Sequence, residues 1–201
     1  MGKTAENEVI FVWNVPNIIT STRIVMAIVI AWLLFQGGQA EIFIAGILII
    51  IAGLTDWLDG FLARKLGQTT VGGSLMDVVA DEILVIPALI LAIMAGLYSR
   101  TDGLMPFNPY PYAVLVLAGG VTVLAGVVSF LWKRRNNKAM VFPTPPMIAK
   151  INYSFWVPTL VVAVLGIGPD ILLVTLMYCS VITTLLSFYY YLKKGGYVFT
   201  D

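Results

Sequence analysis

Residues 56–81 read DWLDGFLARKLGQTTVGGSLMDVVAD and place four carboxylates, Asp56, Asp59, Asp77 and Asp81, in a chain that is otherwise mostly apolar. An apolar run from Glu41 to Ala63 leads into this stretch, and a second from Ser74 to Tyr98 leads out of it. Each run is long enough to cross a bilayer, so the stretch joins two spanning helices through a short loop. A carboxylate near the bilayer centre costs about 2.5–3.5 kcal/mol on insertion scales, so four cost roughly 10–14 kcal/mol unless something offsets them. Acids kept under that load hold a cation or move protons.

The composition agrees with a membrane setting. Of 201 residues, 59% are hydrophobic and 11% charged, and the mean hydropathy is +0.92. A soluble domain carries roughly a quarter charged residues. Cys179 is the single cysteine, so no intrachain disulfide forms and a packing role is expected. The chain has no histidine, which leaves hard oxygen ligands suited to Mg, Mn or Ca. The first 13 residues hold one base, Lys3, and lack a small-residue cleavage site after an apolar core, so the first span is expected to stay as an anchor.

Outward from the acidic stretch, six spans can be drawn: Ile18 to Phe35, Glu41 to Ala63, Ser74 to Tyr98, Tyr112 to Trp132, Ile151 to Leu165 and Ile171 to Leu192. Gln36-Gly37-Gly38, the Pro106/Pro109/Pro111 stretch and Gly166-Ile167-Gly168-Pro169 separate them. Backbone in lipid must satisfy itself, so the expected fold is all-α. It is a bundle of six transmembrane helices in one domain, 1–201, with residues 1–17 as a juxtamembrane segment. Lys3, Arg23, Arg64, Lys65, Lys133, Arg134, Arg135, Lys138, Lys150, Lys193 and Lys194 fall on one side of this arrangement and only Arg100 on the other. The positive-inside rule then places both termini in the cytoplasm.

Positions three and four apart share a helix face. Asp56 with Asp59, and Asp77 with Asp81, therefore each present a pair, and antiparallel neighbours could bring the pairs together near the inner surface. Mutual repulsion calls for one or two divalent cations, a common means of activating phosphoryl groups. Gly60, Ala63 and Gly73 leave backbone open to a flat group or a diphosphate, and Arg64 can bridge phosphate oxygens. On the acids alone, a proton or cation pathway or a structural ion-pair network stands level with an enzyme.

The spacing Asp56-x2-Asp59-Gly60-x2-Ala63-Arg64-x8-Gly73-x3-Asp77-x3-Asp81 resembles the signature of the CDP-alcohol phosphatidyltransferase family at all eight fixed positions. At about one in twenty per identity, a chance match is on the order of 10⁻¹⁰ per start site. Val15-Pro16-Asn17-Ile18-Ile19-Thr20 with Arg23 is similar to the family's opening. The resemblance implies an enzyme of phospholipid biosynthesis that transfers a phosphatidyl group from CDP-diacylglycerol to an alcohol and releases CMP. It implies two Mg or Mn ions on Asp56, Asp59, Asp77 and Asp81, with Asp81 as the base. It further implies CDP-lipid contacts at Asn17, Thr20, Gly60, Ala63, Arg64, Thr70 and Gly73. Thr70 also reads as a plain loop hydroxyl, and Asn17 and Thr20 as a helix-cap pair. The implied partners are both substrates, membrane lipids and a second copy of the chain, with no nucleic acid. The implied location is the bacterial inner membrane, with the active site facing the cytoplasm.

Within the family the chain is most similar in flavour to phosphatidylglycerolphosphate and cardiolipin synthases. Glycerol 3-phosphate leads as acceptor, phosphatidylglycerol is second, and inositol phosphate or another small alcohol follows; a transporter is the rival from another class. Lys150, in Pro146-Met147-Ile148-Ala149-Lys150-Ile151-Asn152, is the expected acceptor anchor, with Arg134 and Arg135 beside it. Lys150 also reads as a snorkelling juxtamembrane lysine. Three departures bear on the acceptor: span four has no charged pair, Val78 and Glu82 replace a usual Pro and Lys, and Tyr153 replaces a threonine.

Overall fold

The computed structural model describes residues 14–66, 71–101, 103–104 and 147–195. Five helices account for most of them: α1 (Val15–Gln36), α2 (Gln39–Leu66), α3 (Val71–Met94), α4 (Met147–Leu165) and α5 (Asp170–Gly195), with a 3-10 turn at Ser99–Thr101. Among the described residues there is no strand, so the all-helical expectation holds. Among the described residues, three stretches are long and apolar enough to cross a bilayer: α1, Gln39–Leu62 of α2 and Asp170–Ser187 of α5. The apolar part of α4, Ile151–Leu165, is shorter. The chain is an integral membrane protein. The expected span Tyr112 to Trp132 lies outside the described residues.

Local chemistry fixes the helix ends. Asn14 caps α1 by accepting the Asn17 backbone N–H at 3.0 Å, and Pro16 sits in the first turn, where a missing N–H costs nothing. Helix α1 thus starts at Val15, and the last residues of the expected juxtamembrane segment belong to it. Gly37, at φ 70°, ends α1 in the left-handed region. Helix α3 stops at Met94 rather than running on to Tyr98 as the hydropathy suggested. Gly96 turns left-handed at φ 70°, while the Gly96 and Leu97 N–H groups close onto Ile93 and Ala92. That pair of bonds is a Schellman cap.

The same helix faces that bury oil higher up bury charge at one end. In α1 the buried stripe is Asn17, Thr20, Arg23, Ala27, Ile30 and Leu34. Helix α2 continues Ala45, Ile49 and Ala52 into Asp56 and Asp59, and α3 continues Asp77 and Asp81 into Leu84, Ala88 and Ala92. The opposite faces carry exposed Val25, Ile28, Trp32, Phe35, Phe43, Ile47 and Leu54. Helices apolar on both sides suit a lipid surround.

Among the described residues, α1 packs against both α2 and α3, and α4 packs against α2, α3 and α5. Helices α2 and α3 make no close backbone approach to each other there, so α1 is the wedge across which their acidic faces meet. Small residues let α4 come close to α2: a Cβ on Gly46 would collide with the Leu165 and Val164 side chains, and one on Gly53 would lie 3.0 Å from Val157. Polar side chains fasten α4 to α5. Thr183 and Thr184 donate to Asn152 Oδ1 at 2.8 and 2.9 Å, Trp156 Nε1 donates to Thr184 at 3.1 Å, and Thr159 meets Ser180 at 3.1 Å.

Candidate metal centre

The four aspartates do converge. Asp56 and Asp59 come from the last turns of α2 and Asp77 and Asp81 from the first turns of α3. One oxygen each from Asp56, Asp59 and Asp77 lies within 4.8 Å of the others, a spacing that lets three carboxylates share a cation. Asp81 joins through a common neighbour: the Oδ1 atoms of Asp56, Asp77 and Asp81 are 2.9, 3.0 and 2.8 Å from a single nitrogen, Nη1 of Arg23. Arg23 Nη2 pairs with Asp59 Oδ2.

Burial is graded across the cluster. The Arg23 side chain is fully buried and Asp59 is 5% exposed, whereas Asp81, Asp56 and Asp77 are 22%, 28% and 40% exposed. The sealed floor is therefore Arg23 with Asp59, and the open mouth is Asp56 with Asp77. Thr20 Oγ1 reaches the floor as well, 3.1 Å from Asp59 Oδ2 and 3.2 Å from the Pro16 carbonyl. On the outer face of α2, Trp57 stacks on Phe61 at 5.7 Å and the Lys65 ammonium lies over the Phe61 ring. Aromatic rings followed by a lysine are the side chains expected where a helix meets the membrane surface.

A divalent cation fits this donor set. The oxygens are hard ligands, and four carboxylates face one guanidinium, leaving the cluster strongly negative. Nη1 has two protons for three carboxylate oxygens, so acceptor capacity exceeds what the arginine can satisfy.

The structure places the other expected residues as follows. Asn17 and Thr20 are buried on the α1 stripe beside the cluster. Asn14, not Asn17, caps the helix. Thr20 uses its hydroxyl on Asp59. Gly60, Ala63 and Arg64 lie on the last turns of α2, Gly73 in the first turn of α3 and Lys150 in the first turn of α4. Thr70, Arg134 and Arg135 lie outside the described residues. The residue that spacing missed is Arg23. Counted above among the surface bases, it is instead the buried hub of the site. Its one sequence signal was its place in the Val15–Arg23 opening.

A membrane-embedded helical scaffold with an acidic cluster at one end whose oxygens could hold a cation points to a class of membrane enzyme. Residues 13–186 match the CDP-alcohol phosphatidyltransferase family, and the chain belongs to it. Similar proteins include one from Wigglesworthia glossinidia brevipalpis, 45% identical over 83 residues, which are 40% of this chain and 44% of that protein. One from Haemophilus influenzae is 38% identical over 81 residues, 40% and 44% of the two chains. One from Escherichia coli K12 is 34% identical over 79 residues, 39% and 43%. All three are named CDP-diacylglycerol--glycerol-3-phosphate 3-phosphatidyltransferase. Each match spans less than half the length of the relative.

Proposed function

We propose that this chain transfers the phosphatidyl group of CDP-diacylglycerol to an alcohol, with glycerol 3-phosphate as the leading acceptor, and releases CMP. The observation that carries the reading is the convergence of Asp56, Asp59 and Asp77 within reach of one cation, with Asp81 beside them. Family membership and the names of the relatives support it.

In this reading Asp56, Asp59 and Asp77 hold Mg or Mn, as two ions, with Asp81 at their edge. Held by these carboxylates, Mg or Mn would supply the charge that offsets the diphosphate and the departing CMP. Asp81 takes the proton of the acceptor hydroxyl. The acceptor oxygen bonds to the phosphorus that bears diacylglycerol, and the bond from that phosphorus to the bridging oxygen breaks. CMP leaves with the bridging oxygen. Gly60, Ala63 and Gly73 give the diphosphate close approach to backbone, and Arg64 and Thr70 are the further CDP-lipid contacts that the family resemblance implies. Asn17 and Thr20 line the α1 side of the CDP-lipid site. Lys150, Arg134 and Arg135 attract an anionic acceptor.

The same reading holds the chain as one domain of six spans with both termini in the cytoplasm of a bacterial cell and the site at the inner leaflet of its inner membrane. With Arg23 removed from the count, ten of the remaining eleven bases still fall on that side. A homodimer belongs to the same proposal. The test is CMP release by purified protein given CDP-diacylglycerol, Mg or Mn, and one alcohol at a time. Release with glycerol 3-phosphate supports the reading. Release with phosphatidylglycerol alone makes the chain a cardiolipin synthase, and none with any alcohol refutes it.

A further inference from the structure

The cluster contains a cation of its own. Arg23 is a permanent positive charge, because a guanidinium does not lose its proton in a protein. It comes from α1, the helix wedged between the two acid-bearing helices. Its Nη1 lies 2.8–3.0 Å from Oδ1 of Asp81, Asp56 and Asp77, and Nη2 pairs with Asp59. Its Nε is buried with no hydrogen-bond partner among the described residues. A side chain this deep with one donor unused and another overcommitted is held by charge rather than by matched hydrogen bonds.

We propose that Arg23 competes with the divalent cations for the four carboxylates and so sets how tightly this site binds metal. The inference rests on the cation-site reading above and goes beyond it. An octahedral divalent ion needs carboxylate oxygens at about 2.0–2.1 Å, and the oxygens nearest the mouth are the ones Nη1 engages. Their lone pairs cannot serve both at full strength, and two positive centres at such range repel. The geometry also supplies the exit. Asp59, on the sealed floor with Thr20, holds Nη2 through Oδ2, so the guanidinium can stay anchored there while the other Asp59 oxygen joins Asp56, Asp77 and Asp81 in taking metal. Arg23 thus spares the acids their mutual repulsion and raises the concentration at which a cation displaces it.

The test is a titration of chelator-stripped, purified full-length protein in neutral detergent with Mn²⁺, following free Mn²⁺ by electron paramagnetic resonance. Thermal unfolding is recorded with and without the metal. Arg23→Gln keeps a hydrogen-bond donor for Asp59 but removes the charge. It is expected to bind Mn²⁺ at least tenfold more tightly than the wild type. It should also unfold at a lower temperature in chelator and gain more from added Mn²⁺. Should that variant fail to fold, Arg23→Lys, whose single ammonium cannot span four carboxylates, is expected to bind more tightly than wild type by a smaller factor. Equal or weaker Mn²⁺ binding by the folded variant overturns the inference and leaves the cation site standing. A wild type that binds no Mn²⁺ sinks the cation reading itself, and the inference with it.

Discussion

Thr20→Val tests whether α1 builds the metal site or only lines the lipid site. Valine keeps the shape of threonine and removes the hydroxyl that lies 3.1 Å from Asp59 Oδ2. A hydrogen bond to a charged acceptor is worth about 1.5–3 kcal/mol. This one is longer than the usual O–H···O distance of about 2.7–2.8 Å, and its single proton is shared with the Pro16 carbonyl at 3.2 Å. The low end of the range therefore applies: about 1.5 kcal/mol is roughly tenfold in an equilibrium constant. That agrees with the 10–100-fold loss typical when a group orienting a metal ligand is removed. The assay is CMP release at saturating CDP-diacylglycerol, with Mn²⁺ varied. The half-saturating Mn²⁺ concentration should rise about tenfold in Thr20→Val and stay near wild type in Thr20→Ser. An unchanged Mn²⁺ dependence with a raised KM for CDP-diacylglycerol would exclude Thr20 from the metal site and make it a lipid contact alone.

Other outcomes follow from the same geometry. Asp81→Asn is expected to lower turnover by at least 10²-fold, the usual scale for a lost general base, while CDP-lipid binding measured by calorimetry persists; undiminished turnover would remove Asp81 from that role. Lys150→Ala should raise KM for a phosphorylated acceptor with kcat little changed, and an unchanged KM would point to a neutral acceptor. Gly46→Val puts a side chain against Leu165 and Val164. It should cost about 1–3 kcal/mol of stability, as overpacking does, read by denaturing-detergent titration. No loss would mean α2 and α4 do not pack this closely.

The acidic stretch was legible because spacing on a helix and the cost of charge in lipid both act on neighbours in sequence. Asp56 with Asp59 and Asp77 with Asp81 could be placed on shared faces from residue numbers alone, and Gly37 and the Gly166–Pro169 turn ended helices where expected. What sequence did not reveal is which apolar face packs against which. In a membrane helix the lipid-facing and protein-facing sides are alike in hydropathy, as Ile28 and Ile30 of α1 illustrate, the first exposed and the second buried. The wedge position of α1 therefore had no signature. Arg23 looked like one more inner-surface base because its partners lie more than thirty residues away along the chain. The seam along Gly46 and Gly53, and the use of Asn152 to hold Thr183 and Thr184, likewise depend on contacts between distant segments.

In the proposed reaction Asp56, Asp59 and Asp77 take a divalent ion between them with Asp81 close by. Anomalous X-ray diffraction at the manganese edge, from crystals of active protein grown with Mn²⁺ and CDP-diacylglycerol, tests it directly. Strong peaks are expected among those carboxylates, at about 2.0–2.3 Å from their oxygens. Active protein whose manganese peaks lie elsewhere, with Arg23 still pairing all four acids, would contradict it.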